Sequence, residues 1–252
     1  MKTDVIILNW NRPEHVRDYL IPTLLRCGEV HRIIVSHGKI DTRFEHSHPR
    51  VISIDHSDLN ADLGLALRFH CHSYVTTDAV LLLDDDQFIE EAHVRQLAAA
   101  FAREPGRIHG YHKRYVFHTR HGLAYGRMKT AYRHFLDRRF LAQVLTAPPR
   151  PMIALTKTLM APAAALRSFC EHQHLVDAFV ARHSNPLWNG EDIFFCLLHY
   201  AKTGVRPVFH KAHPRLAETK QSHQGISSRK REHFAYRDAF VRHACDVLGL
   251  DL

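Results

Sequence analysis

"VLLLDDDQFI", residues 80–89, runs four apolar residues into three consecutive carboxylates, Asp84, Asp85 and Asp86, and then turns apolar again. A short unbroken apolar run is what a strand buried on both faces requires. Three adjacent like charges repel one another, and folding gains little from them unless positive charge sits among them. The stretch therefore reads as a buried strand that delivers an acidic cluster to one edge of a sheet.

The flanking sequence extends that sheet. "TDVIILN" (3–9), "VHRIIVSHG" (30–38) and "RVISID" (50–55) read as three more strands, and the acidic stretch belongs to a fourth over 78–86. Helical spacing runs through 12–28, where Pro13 suits a helix start, Pro22 a kink and Gly28 a stop. It returns in 61–75 and in 90–106, whose first turn is acidic and which ends at Pro105-Gly106. The order strand–helix–strand–strand–helix–strand–helix predicts a mostly parallel sheet with helices on both faces. The acids then lie at the C-terminal edge of the strands, where open α/β sheets bind ligands.

Beyond residue 106, "RIHGYHKRYVF" (107–117) reads as paired short strands, and 118–150 yields no assignment. "PMIALTKTLMAP" (151–162) reads as a strand pair or a strand and turn. Helices are predicted over 163–183, 190–204 and 227–249, with a short strand at 206–210. No linker separates an independent unit, so a single α/β domain over 1–252 is expected.

Composition bounds the partners. At 252 residues, 45% hydrophobic and 24% charged, the chain can bury a real core, which excludes a disordered or fibrous protein. No apolar run approaches the roughly 20 residues that span a bilayer. The apolar start "MKTDVIILNW" is short for a signal peptide and reads better as a strand. A cytoplasmic protein is the expectation, unless an N-terminal anchor was removed. Five widely spaced cysteines with no C-x-x-C point to free thiols and against a Cys-built zinc site. A formal charge of +8 favours an anionic partner, but the charge is not one block, which argues against specific nucleic-acid binding.

Four stretches carry candidate chemistry. Asp84 and Asp86, two apart at a strand end, can face the same way and offer hard oxygens to Mn²⁺ or Mg²⁺ on a diphosphate. The bland alternative is a solvated acidic turn. In "NGEDIFFCLL" (189–198), Glu191 and Asp192 fall in a first helical turn, where acids either complement the helix dipole or project into a cleft as catalytic groups. In "EHFAYR" (232–237), His233 and Arg237 share one helix face and can donate to phosphate, or form a solvated basic face. In "NWNRPEH" (9–15), Asn11 and Arg12 lie at the same sheet edge as the acids and can meet a base or a phosphate, or Asn11 caps the helix before Pro13.

Taken in order, "VIILNWNRPEHV", "TTDAVLLLDDDQFI", "EPGRIHGYHKRYV", "NGEDIFFCLL" and "EHFAYRDAF" resemble the motifs of the exostosin-like glycosyltransferases, heparan-sulfate-type N-acetylhexosaminyltransferases of GT-A fold. The resemblance covers most of the chain. It implies a GT-A-like fold with a nucleotide-sugar-binding half over 1–117 and an acceptor-binding and catalytic half over 118–252, a UDP-sugar donor, a Mn²⁺ ion and a glycan or glycoconjugate acceptor. It implies Asp86 as the direct metal ligand, with Asp84 and Asp85 on the donor's sugar and ribose, and Asp192 as the carboxylate beneath the sugar. His233 and Arg237 would hold the diphosphate, Arg12 would lie at the base, and Asn60 and Arg68 would line the donor stretch. The chain departs from the pattern at His37, where an Asn is expected, and through 118–150. Family members are normally anchored in the Golgi membrane.

The expected activity is metal-dependent transfer of a sugar from a UDP-sugar to a glycan. Retention of configuration is what the resemblance implies; an inverting enzyme would use Asp192 as general base on the acceptor hydroxyl. Two rivals remain. A metal-dependent nucleotidyltransferase or phosphohydrolase would also cluster Asp, but the chain lacks a G-x-x-x-x-G-K-[ST] loop and a D-x-D-x-[TV] start. A basic polyanion-binding module would use "SSRKREHFAYR" as its contact strip and bind without metal.

Overall fold

The computed structural model describes residues 1–128, 137–146, 149–183, 189–219 and 230–252, the last from 232 onward with side chains. A seven-stranded sheet forms the centre, in the order β11-β6-β10-β4-β1-β2-β3. Strands β1 (Thr3–Asn9), β2 (Val30–His37), β3 (Val51–Asp55) and β4 (Ala79–Asp84) are mutually parallel. β10 (Thr158–Pro162) pairs antiparallel with β4 and with β6 (His109–Gly110), and β11 (Val208–Phe209) pairs parallel with β6. The sheet is thus mixed, mostly parallel and flanked by helices.

β1 and β4 lie side by side with Leu8 opposite Asp84, while the chain leaves β1 toward β2 and β3 on the other side. The direction of winding reverses between these two strands, and such a reversal opens a crevice at the strands' carboxyl ends. The acidic triplet occupies that crevice. Alternation along each strand divides the core. Val5, Ile7, Leu81 and Leu83 face one layer, and Ile6, Val80 and Leu82 the other.

The first layer is covered by the 13–26 region and by α5 (Glu91–Arg103). Pro22 was expected to kink the first helix. The irregularity is a π-helical turn, Val16–Leu20, between α1 (Pro13–His15) and α2 (Ile21–Arg26), so the backbone adjusts just before the proline. The helix expected over 61–75 is broken into α3 (Asn60–Leu63), a 3₁₀ turn, α4 (Leu67–His70) and a further 3₁₀ turn. Gly64, at φ 46°, interrupts it.

The other layer is covered by α4, α7 (Ala163–His172), α9 (Glu191–Thr203) and α10 (Lys230–Val247). The helix expected over 163–183 divides into α7 and α8 (His174–Arg182). The strands expected to pair within 107–117 do not pair with each other. β6 joins the central sheet, whereas β7 (Lys113–Thr119) joins β8 (Gly122–Gly126) and β9 (Pro151–Ala154) in a second, antiparallel sheet. β8 and α6 (Arg138–Thr146) lie within the segment left unassigned, parts of which fall outside the described residues. A two-stranded ribbon, β5 (Gln87–Phe88) with β12 (Ala217–Glu218), straps the C-terminal half onto the triplet. Among the described residues no helix is long and apolar enough to cross a membrane.

Leu82 is fully buried in the middle of β4, whereas Leu145 on α6 is 76% exposed. Leu82→Ala should cost about 3 kcal/mol of unfolding free energy in a denaturant titration. Leu145→Ala should stay within about 0.5 kcal/mol.

Candidate active site

Each member of the triplet has a different partner. Asp84 Oδ1 accepts a hydrogen bond from Arg68 at 2.7 Å. Arg68 is buried, and burial would lower its pKa, but the negative charges of Asp84 and Glu191 reverse this and hold it raised. Asp85 is a clasp between strands: Trp10 and Asn11 donate their backbone N–H groups to Oδ2 at 2.9 and 3.0 Å, and Arg12 donates to Oδ1 at 2.9 Å. Asp86 receives far less. Among the described residues its hydrogen-bond donor is the Gln87 amide, and the Lys157 ammonium stands 3.9 Å from Oδ2. Burial and the charge of Asp84 push its pKa up.

Four of the expected residues thus form two pairs, Arg68 with Asp84 and Arg12 with Asp85. Asn11 turns its side chain to Lys39, whose ammonium is 2.6 Å away and lies 4.5 Å over the Trp10 ring. Asn60 and His37 each present a buried polar atom with no partner among the described residues, Oδ1 and Nε2 respectively. His37 Nδ1 is held at 2.9 Å by Asn9 Nδ2. An amide nitrogen can only donate, so Nδ1 accepts and Nε2 carries the proton. Gly38 packs against Trp10 and Asn60: a Cβ there would sit 3.0 Å from the Trp10 ring and 3.3 Å from Asn60 Oδ1.

The second cluster is assembled from α9 and α10. Arg237 was expected at a diphosphate. Its guanidinium donates to Asn189 Oδ1 at 2.8 Å and to Asp192 Oδ1, and stacks 4.5 Å over Tyr125. Arg237 is 6% exposed and Asp192 2%. Burial would lower the arginine's pKa, but Asp192 outweighs it and the net shift is upward. Asn189 Nδ2 donates to His233 Nδ1 at 2.7 Å, which fixes His233 as a neutral ring with its proton on Nε2. Burial and the Arg237 charge lower its pKa to about 4, so it stays neutral at physiological pH. Gly190 makes this assembly possible: a Cβ there would meet the Phe240 ring at 2.9 Å, so a side chain would push α10 away from α9.

Glu191 has a different partner from Asp192. Its Oε1 accepts from Thr156 at 2.9 Å, on the turn between β9 and β10. Burial and the neighbouring Asp192 raise its pKa to about 7.

Several contributors carried no signal of their own in the sequence. Tyr125 lies under Arg237, and Arg114 on β7 is partly buried beside Asp192 and Arg237, where burial lowers its pKa. Lys157 and Glu218 flank Asp86. These residues lie on segments whose placement depends on the second sheet and the β5–β12 ribbon.

Could Asp86 hold a divalent cation? A buried carboxylate with one amide donor and a distant ammonium keeps negative charge to spare, and its oxygens are hard donors. No group of three His, Cys, Asp or Glu among the described residues is placed to ligate a metal. Mg²⁺ and Mn²⁺ sites commonly use one or two carboxylates with phosphate and water completing the shell, so the residues present fit such an ion.

The sequence matches the family described as "Glycosyl transferase family 64 domain" over residues 3–251, and the chain belongs to that family. Among curated proteins none matches. The fold is similar to that of glucosyl-3-phosphoglycerate synthase from Mycobacterium tuberculosis. Its complex with Mn²⁺, UDP and glucosyl-3-phosphoglycerate has a TM-score of 0.55 at 12% identity, covering 100% of this chain and 81% of that one. Its complex with Mn²⁺, UDP-glucose and phosphoglyceric acid has a TM-score of 0.54 at 13% identity, with the same coverage. At such identity the likeness is one of fold, a GT-A-like α/β architecture.

The raised pKa of Glu191 has a consequence for stability. Between its ordinary value of 4.5 and about 7, the folded state holds a proton that the unfolded chain has lost. Its contribution is therefore complete below pH 4.5 and is lost as pH rises toward 7. Glu191→Gln removes this dependence. The stability of wild type relative to Glu191→Gln should fall between pH 4.5 and 7 in paired denaturant titrations; parallel profiles would contradict the assignment.

Proposed function

We propose that this member of glycosyl transferase family 64 transfers a sugar from a UDP-sugar to a glycan or glycoconjugate hydroxyl, with Mn²⁺ or Mg²⁺ at Asp86. The observation that carries the reading is the unequal treatment of the triplet: Asp84 and Asp85 are matched by arginines, and Asp86 is left with charge to spare. The similar synthase structures contain Mn²⁺ with UDP or UDP-glucose, which supports the same ligand class here.

The nucleoside end is supported by the unpartnered atoms at the β1–β2 edge. His37 Nε2–H is a donor and Asn60 Oδ1 an acceptor, both buried. Uracil offers a carbonyl acceptor beside its N3–H donor, which suits that pair. Cytosine places an unprotonated nitrogen at N3 and would leave Asn60 Oδ1 unsatisfied, at a cost of about 1–3 kcal/mol. A histidine thus stands in for the asparagine expected at residue 37.

At the reacting end, both Arg237 and the Ile193 backbone N–H donate to Oδ1 of Asp192. This fixes the carboxylate and leaves Oδ2 for the sugar. A cation at Asp86 would supply positive charge to the diphosphate as the glycosidic oxygen leaves. Asp192 then positions the donor sugar and opposes positive charge at its anomeric carbon, the role expected of a retaining enzyme. Neutral His233 offers Nε2–H to a phosphate or sugar oxygen. Arg114, partly buried beside this cluster, favours an acceptor that carries an acidic group.

Turnover of a panel of UDP-, GDP- and CMP-sugars tests the reading. With Mn²⁺, UDP release from a UDP-sugar is expected, and Asp192→Asn should reduce it by about 10²-fold or more while UDP still binds. Release of phosphate or pyrophosphate instead, or near-normal turnover by Asp192→Asn, would overturn it. The anomeric configuration of the product, read by NMR, separates retention from an inverting route in which Asp192 takes the acceptor's proton.

A further inference from the structure

The charge left on Asp86 is met, incompletely, by a residue that the proposed chemistry does not use. Lys157 sits on the turn between β9 and β10. Its backbone carbonyl accepts the N–H of Asp84 at 3.0 Å, so the lysine is tied to the end of β4 and its side chain alone is free to move. That side chain is 25% exposed, with its ammonium between two carboxylates: 2.9 Å from Glu218 Oε2 and 3.9 Å from Asp86 Oδ2. Glu218 lies on β12, which pairs with β5 immediately after the triplet, and the next residue donates its backbone N–H to the Asp86 carbonyl at 2.8 Å. The turn and the strap thus hold one cation between Asp86 and a carboxylate from the distant end of the chain.

We propose that Lys157 is the built-in counter-ion of the Asp86 site, and that it sets the affinity for a divalent cation by competing with it. This rests on the reading of Asp86 given above. A divalent ion on Asp86 would stand within a few ångströms of the ammonium, and two such charges repel strongly where water is partly excluded. The lysine must then withdraw from Asp86, and Glu218 is the acceptor already in reach. Glu218 therefore acts as the parking place that makes withdrawal inexpensive, and its position on β12 couples cation binding to the strap. Arg68 and Arg12 cannot play this part: each is locked to another member of the triplet by a bond of 2.7 or 2.9 Å. Lys157 is a positioning residue in this account.

Direct titration of Mn²⁺ into the full chain, followed by the EPR signal of free Mn²⁺, reads the competition without turnover. Lys157→Met, which keeps side-chain length and removes the charge, should bind Mn²⁺ about ten-fold more tightly than wild type. Glu218→Gln should bind it more weakly, because the ammonium then has Asp86 as its remaining carboxylate. The double variant should bind like Lys157→Met, since the parking place matters only while the lysine is present. Unchanged or weaker binding by Lys157→Met, with a wild-type melting curve, would overturn the proposal, and so would tighter binding by Glu218→Gln. Should Lys157→Met fail to fold, Lys157→Gln, which also removes the charge, takes its place in the comparison. If wild type and Lys157→Met both leave Mn²⁺ free, the cation reading of Asp86 fails and this inference with it. Binding that needs Asp86 but ignores Lys157 overturns this inference alone.

Discussion

Three carboxylates in succession at the end of a buried strand are the constraint on which this structure is arranged. Left unpaired, they would oppose folding by mutual repulsion. The fold answers them from three directions. Arg68 reaches Asp84 from the broken helical segment after β3, and Arg12 and two backbone N–H groups reach Asp85 from the end of β1. Lys157 approaches Asp86 from the β9–β10 turn without closing on it. Each answer fixes a piece of chain: the Asp85 clasp ties the end of β1 to the end of β4, and the Arg68 bond ties α4 to the end of β4. What remains is one carboxylate with unspent charge, at the point where a GT-A-like sheet opens.

The second cluster solves a similar problem by pairing. Asp192 and Glu191 begin a helix whose remaining face is deep in the core, so neither carboxylate can reach bulk water. Arg237 takes Asp192 and, through Asn189, orders His233; Thr156 takes Glu191. Breaking such a buried pair by removing one partner is costly, which makes the arrangement rigid. Rigidity is useful where a carboxylate must hold its place beside a reacting sugar.

Much of this was legible in the sequence, for identifiable reasons. β1 and β4 are unbroken apolar runs, and only burial on both faces accounts for them, so the sheet and the position of the triplet followed. Asp192 and Arg237 stood out as residue types, but 45 positions of chain separate them and nothing local says that they meet. Gly190 stands at the start of the predicted helix; its need for closeness to Phe240 appears only when α9 and α10 are packed together. The strands over 107–117 were visible, yet the partners of β6 and β7 lie at 122–126, 151–162 and 208–209, and such pairing is set by the tertiary fold. Helical spacing over 61–75 misled because Gly64 breaks the run and Arg68 is needed at Asp84. Lys157 and Glu218 lay in no motif.

The central claim is that Asp86 holds a cation that in turn holds a uridine diphosphate. Thermal denaturation with UDP, in Mn²⁺ and in EDTA, tests it most directly. UDP at about 100 times its Kd should add roughly 2.7 kcal/mol, a rise of several degrees for a chain of this size. The account predicts that rise in Mn²⁺, its loss in EDTA, and its loss in Asp86→Ala. An equal rise with EDTA, or one that survives in Asp86→Ala, would contradict it.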